Sequence, residues 1–481
     1  MFQNFSLIVF FALLFARDAC TQVLPDLGDP FRDDFSIFQE KVVGASIMGQ
    51  IRSSAEYVTD PEISSYINHL GYQLVANSDA PGTQFNFFVM IDETLNAFAF
   101  PGGYIGTHSG LILESENESM LAGVLGHEIA HVTQRHIARV IAAQKNARIG
   151  SLAAIATAIL AARSGGDLSQ AAVMTSAALP MQTQLNFTRE HEREADRIGL
   201  RILDRAEFDV HQVPLFFKHL QRQSRLHESG LPEYLRTHPL TSERIADIED
   251  RLSQTSLVQL EDSIEFMFVQ ARLRVYQGGA EAAQEFFSEQ IRSQAKTSRL
   301  AGIYGLVFTA VVSDSLESLS IEECQRMLGD ALDLEPEHPM LLSLQADFER
   351  MFGDSAVANE LYASALRRYP SRKSIVYGYA ELLLSLNRFE DLEEIMSALV
   401  SGEGSHDSKF YEYRAKAFAG LNQKMAMHRD NAEVLALRGN LVGAINELIY
   451  AQKMTDGDFF LRTSVEARLS ELRDIQRALL G

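Results

Sequence analysis

Tryptophan is absent from the chain, and its only cysteines are Cys20 and Cys324. So little cysteine excludes both a disulfide scaffold and a Cys-ligated zinc module. The missing tryptophan removes the preferred anchor at a membrane–water interface. Basic residues are also scarce: 43 Lys+Arg face 64 Asp+Glu, a formal charge of -21. A surface that negative repels phosphate backbones, so no nucleic-acid partner is expected. Beyond the N-terminus no apolar run reaches the ~18 residues that a transmembrane helix needs. A soluble mature protein is expected, with peripheral membrane contact left open. What the chain has is bulk. Its 481 residues, 46% of them hydrophobic, are too many for one core and too apolar for intrinsic disorder.

The run Leu7–Phe15 (LIVFFALLF) has the length of a signal-peptide core. We read residues 1–22 as a secretory signal, the alternative being a buried N-terminal helix. Cys20 after Ala19 raises lipid attachment, although Arg17 and Asp18 fit such a box, and a cleavage site, poorly. Residues 23–262 then mix helical periodicity with one strand-like stretch, Phe85–Ile91 (FNFFVMI). Asn96–Phe100 and Tyr104–His108 follow as short extended runs around the turn signal Pro101-Gly102-Gly103, predicting a hairpin or edge strand. A long helix is expected from Ser115 through Arg139, with Ser115 and Glu118 forming a capping box. Residues 263–481 are helical throughout. Pro336 and Pro370 lie one 34-residue period apart, with Ala346 matching Ala380 and Tyr362 matching Met396. That period of helix–turn–helix units predicts a tetratricopeptide solenoid, whose concave face binds peptides or proteins. The fold class is therefore mainly α, an α+β domain with a small sheet followed by an α-helical repeat array.

The chemistry lies at His127-Glu128-Ile129-Ala130-His131. On a helix, His127 and His131 are one turn apart on one face and can reach the same metal ion. Glu128 is offset enough not to compete, yet close enough to take a proton from water. The apolar stretch Met120–Gly126 before it marks a buried helix, where two histidines and a carboxylate are costly unless paired or metal-bound. Zinc needs a third protein ligand and an open fourth position. His136 stands about 140 degrees around the helix from His131, which argues against it. Glu192 is the better candidate. Asp196, four residues on, shares its helix face and can orient a ligand histidine through its other ring nitrogen. Glu194 points elsewhere and reads as a solvated charge.

Taken together, HEIAH, the Glu-x-x-x-Asp of HEREADRIG, Asn96-Ala-Phe-Ala-Phe-Pro-Gly-Gly, His238-Pro239 and Arg244-Ile-Ala-Asp247 resemble the M48 family of zinc metalloproteases. The resemblance implies a gluzincin-like domain holding one Zn2+ per chain through His127, His131 and Glu192, with Glu128 as general base. Joined to a secretory N-terminus and repeats, it implies a periplasmic endopeptidase in outer-membrane protein quality control. Its clients would be unfolded or misassembled outer-membrane proteins, and the repeats would dock on the β-barrel assembly machinery. The rival is a repeat-based chaperone with latent protease activity. His238 takes its interest from the same resemblance, and two roles stay open for it. A neutral His238 fills the fourth zinc position and holds the enzyme off; a protonated one, with Arg244, stabilises an oxyanion. Ile149–Met181, rich in small residues, is either a helix packed on the core, a lid over the cleft or a segment touching lipid. A chain ending near Ser263 is expected to keep metal and cleave small unfolded substrates.

Overall fold

The computed structural model describes residues 35–143, 188–226, 233–253, 262–316, 319–402 and 406–480. The signal region, Cys20 and Ile149–Met181 lie outside these residues.

Helix α1 (Ile37–Ile51) opens on a capping box in which Ser36 and Gln39 satisfy each other's backbone N–H. Helix α2 (Pro61–Ala76) has Pro61 in its first turn and Asp60 as N-cap, accepting from the backbone N–H groups of Glu62 and Ile63. Three strands follow: β1 (Asn86–Met90), β2 (Ala97–Phe100) and β3 (Tyr104–His108). The sheet order is β1-β3-β2, with β1 parallel and β2 antiparallel to β3. The expected hairpin turn is present. Gly102 and Gly103 have φ of 92° and 84°, a left-handed pair that glycine adopts without strain. A bridge between Tyr57 and Met90 lies on the free side of β1, whereas β2 has no second strand beside it among the described residues.

Helix α3 (Ser109–Glu114) ends at Ser115, and α4 (Glu118–Thr133) starts after Asn117. The capping box expected at Ser115 is therefore not the one that forms. Asn117 accepts from Met120 N, while the Ser115 hydroxyl turns back to Leu111 O. Glu118 instead accepts from Tyr66 and Ser263. The long helix also stops early. Arg135 takes a left-handed φ of 52°, and the chain restarts as α5 (His136–Ala143). Helices α6 (Arg189–Arg205), α7 (Gln212–Leu226), α8 (Glu233–Thr237) and α9 (Ser242–Leu252) complete the front of the molecule.

Ser263 caps α10 (Ile264–Gln290), which is broken at Gly279, and α11 (Lys296–Ser313) packs back along it. Helix α12 (Ile321–Leu334) leads into antiparallel hairpins. Their first helices are α13 (Pro339–Phe352), α15 (Lys373–Ser385), α17 (Ser408–Gly420) and α19 (Leu441–Lys453); their second helices are α14 (Ser355–Arg368), α16 (Phe389–Val400), α18 (Lys424–Leu437) and α20 (Phe459–Leu480). First helices thus begin 34, 35 and 33 residues apart, a helical repeat of the period read from the sequence. Small residues allow the helices to close: Ala346 and Ala380, matched across the repeat, are both buried, as are Tyr362 and Met396.

The core does not divide at residue 263. One apolar cluster runs from Val58 through the metal-site helices to Phe348, and includes Phe266, Phe268, Leu273 and Tyr304. Polar contacts stitch the same seam. Arg272 and Tyr276 share the Asp60 Oδ2 that the α2 cap leaves over, Gln270 caps the carbonyls of Ile112 and Ser115, and Arg372 and Ser374 bind the buried Glu62. Two smaller clusters fill the later hairpins.

Candidate metal centre

Two helices build the centre. Apolar residues on every side bury α4 from Ser119 to His131, so its polar side chains must find partners inside the protein. Helix α6 crosses α4 where glycine faces glycine. A Cβ on Gly199 would stand 3.1 Å from His127 N, and one on Gly126 would stand 3.3 Å from Gly199 O. This approach brings Asp196 and Glu192, about one and two turns before the crossing residue on α6, level with the histidines.

His127, His131, Glu192 and His238 each offer one donor atom, and these atoms lie within 4.8 Å of one another. The Nε2 atoms of His127 and His131 are 3.0 Å apart. Glu192 places Oε2 3.5 Å from the first and Oε1 3.4 Å from the second. His238 Nδ1 lies 3.4 Å from His127 Nε2 and 3.1 Å from Glu192 Oε1. A tetrahedral ion with bonds of about 2.0–2.1 Å requires donor–donor edges of about 3.3 Å. The separations above, 3.0–3.5 Å, lie close to that value, and all four donors fall within 4.8 Å of one another, so the residues fit a metal ion.

Charge points the same way. Burial pushes the Glu192 carboxyl up, but His238, His127 and His131 outweigh it and hold it well below the usual range. Asp196 is likewise held down despite burial, by Arg244 and then His127. Arg244 donates from Nε and Nη2 to the two Asp196 oxygens at 2.7 Å each, and Nη1 lies 2.8 Å from Glu192 Oε2. Two buried carboxylates against one guanidinium leave an uncompensated negative charge, which a divalent cation would neutralise. The same carboxylates act on His127: burial lowers its pKa, yet Asp196 and Glu192 outweigh burial and raise it to about 9.

The candidate site residues read from the sequence all lie within the described part of the chain. Asp196 Oδ1 is 3.1 Å from His127 Nδ1, behind the ring from its metal-facing nitrogen. Glu128 is fully buried, its oxygens make no well-formed hydrogen bond, and Oε1 lies 3.4 Å from His238 Nε2, with the backbone of Ala99 on β2 also acting on the carboxylate. Burial raises its pKa, as suits a base that must accept a proton. Arg244 also donates to Pro239 O at 2.9 Å. Its donors are thus committed to Asp196, Glu192 and the chain, and it is not poised to join His238 over an oxyanion.

His136, set aside as a metal ligand, stands outside the group of four donors, but it is not turned away from the centre: the left-handed turn at Arg135 breaks the helix and places His136 Nδ1 2.9 Å from His131 Nδ1. One reading needs correcting. Glu194, read as a solvated charge, accepts from His136 Nε2 at 3.1 Å and from Arg139 at 2.8 Å. Tyr234 was missed altogether: it is buried and stacks on His238 with ring centroids 4.7 Å apart. Its only sequence signal is its place one turn before His238.

A His pair on one buried helix, a carboxylate beside it and a glutamate from a second helix define a metallopeptidase centre. Residues 61–252 match the model of peptidase family M48. Over 470 residues, 96% of this chain and 93% of that protein, the chain is 32% identical to the beta-barrel assembly-enhancing protease of Escherichia coli K12. It is 30% identical over 454 residues to the protein of the same name from Yersinia pestis, covering 94% of this chain and 92% of that one. The mitochondrial metalloendopeptidase OMA1 of Schizosaccharomyces pombe is 29% identical over 192 residues, 40% of this chain and 54% of that protein. The chain belongs to peptidase family M48 and is a metalloendopeptidase.

Proposed function

We propose that the chain is a periplasmic zinc endopeptidase that cleaves unfolded or stalled proteins during outer-membrane protein assembly. The observation that carries the chemistry is the convergence of His127, His131, Glu192 and His238, all buried, with one donor atom each within 4.8 Å of the others. In this reading His127, His131 and Glu192 hold one Zn2+, and Asp196 fixes the tautomer of His127. Bound zinc supplies Lewis acidity to a peptide carbonyl and lowers the pKa of water towards about 7. Glu128 takes the proton of the attacking water on a carboxylate oxygen and returns it to the departing amine nitrogen. The backbone of β2, beside Glu128, offers main-chain hydrogen bonds to an extended substrate and reads little of its sequence. Such pairing suits unfolded clients.

We take residues 1–22 as a secretory signal, 23–262 as the protease domain and 263–481 as a tetratricopeptide-repeat domain whose first helices share the protease core. The names of the full-length relatives support β-barrel assembly as the setting and outer-membrane proteins as clients, with the assembly machinery docking on the repeats. Among the described residues no helix is long and apolar enough to cross a membrane. The second reading, a chaperone with latent protease activity, draws on one observation: His238 Nδ1 lies 3.4 Å from His127 Nε2 and 3.1 Å from Glu192 Oε1, close enough to take the fourth position in place of water. One substitution separates the two. Glu128→Gln should keep one equivalent of chelatable zinc and lose cleavage of an unfolded protein by about 10²–10⁴-fold. If cells carrying it build a normal outer membrane, the chaperone reading wins. A metal-free, inert wild-type protein overturns both the zinc assignment and the endopeptidase.

A further inference from the structure

His127 and His131 are held from behind in different ways. His127 faces a carboxylate directly, through Asp196. His131 faces another imidazole. If Nε2 of His131 is its metal-facing atom, the neutral ring carries its proton on Nδ1. That proton points to His136 Nδ1 at 2.9 Å, which must present a lone pair to receive it. The proton of His136 then belongs on Nε2, where Glu194 Oε2 accepts it at 3.1 Å. Arg139 Nη1 grips that same oxygen at 2.8 Å. The ring of His191 stacks on His136, 4.6 Å between centroids and 21° from parallel, and limits its rotation. His136 itself is fully buried. On that reading each donor along this line finds an acceptor, from His131 to His136 to Glu194.

We propose that His136 is a positioning residue of the metal centre. It acts through His131, fixing that ring's tautomer and aiming its Nε2, and Glu194 fixes the tautomer of His136 in turn. The proposal rests on the reading of His131 as a ligand. Outer partners of this kind commonly carry 10–100-fold of metal affinity. The left-handed turn at Arg135 acquires a purpose here, since it swings His136 back beneath His131. The turn is tied in place, with Arg135 Nε donating to Glu40 Oε1 at 2.9 Å and Nη2 to Phe35 O at 2.7 Å.

The test measures the affinity of the full chain for Zn2+ and Co2+ in competition with a chromophoric chelator, with no substrate present. His136→Leu removes the acceptor and should weaken binding by about 10–100-fold, while the metal-free protein melts as the wild type does. His136→Asn keeps an acceptor oxygen close to the place of Nδ1 and should restore most of the loss. The visible bands of the Co2+ form should shift in the leucine variant and return in the asparagine one. Glu194→Gln should weaken binding by a smaller factor, and it decides the matter if His136→Leu does not fold. Unchanged affinity in His136→Leu, or in Glu194→Gln where that variant decides, overturns the proposal. So does an asparagine variant as weak as the leucine one, because the loss is then one of packing. Glu192→Gln tests the ligand set separately: wild-type affinity there sinks the metal reading itself, whatever the His136 variants do.

Discussion

His238 Nδ1 lies 3.1 Å from Glu192 Oε1 and its ring stacks on Tyr234, so on the zinc reading proposed above it holds the place of the attacking water. We expect His238→Ala to retain zinc and to raise basal cleavage of a small unfolded substrate. A closed state favoured ten to one corresponds to about a tenfold rise. Steady-state kinetics with a metal assay read this directly, and a fall in kcat with zinc retained would favour the oxyanion role instead. The pairing of Arg244 with Asp196 and Glu192 argues against that outcome. At this scale the sequence was most legible where candidate site residues share a helix turn. His127 with His131, and Glu192 with Asp196, needed only the i, i+4 rule. His136 could not be read that way. Its position depends on a backbone reversal at Arg135 secured by Glu40 and Phe35, far back in the chain, and no local pattern encodes that.

Between elements, the distance from α4 to α6 sets the distance from histidines to glutamate. Gly126 and Gly199 bring the helices together so closely that an added methyl at Gly199 would crowd His127 N and Gly126 C, at 3.1 and 3.2 Å. Both are backbone atoms and cannot rotate aside. Gly199→Ala should therefore push α6 outward, destabilise the fold by about 1–3 kcal/mol and weaken metal binding in the same protein. Gly329→Ala, in α12 with nothing within 4 Å of the new carbon, is the control and should be neutral or stabilising by up to about 1 kcal/mol. Denaturant midpoints and chelator competition check both; a Gly199→Ala protein as stable and as tight as wild type would show that the crossing has slack. The glycines were visible in the sequence as letters only, since their meaning depends on which helix faces which. The hairpin β2–β3 was legible because Pro101-Gly102-Gly103 is a local turn signal. The cap at Asn117 was not, because Ser115 offered an equally good local alternative that α3 had already used.

For the whole molecule, the division into a protease half and a repeat half is written in composition and period, but the core ignores it. Helix α10 fills the groove beside α2 and α3, with Phe266 against Tyr66 at 6.3 Å between ring centroids. Its Arg272 neutralises Asp60, and Ser263 and Asp262 bind Glu118 at the head of the metal-site helix. A chain ending at 262 keeps every candidate ligand yet loses Phe266, Phe268, Leu273 and Tyr304, all fully buried. Each such side chain contributes roughly 1.5–3 kcal/mol when buried, and whole domains are stable by only about 5–15 kcal/mol. The orphaned Asp60 and Glu62 add to the loss. The expectation that a front half cut near Ser263 stays active is therefore reversed: that fragment should be unfolded or aggregated and should not hold zinc. A chain ending at Gly420 is different. It retains the first two apolar clusters, and Arg372 and Ser374 still reach Glu62. It should fold, bind one zinc and cleave an unfolded protein at the wild-type rate, while lacking the last hairpin, and the second helix of the hairpin before it, for docking. Circular dichroism, metal content and cleavage of the two truncations, side by side, provide the test. A folded, zinc-loaded 262-residue fragment would mean that the shared core contributes far less than its burial implies.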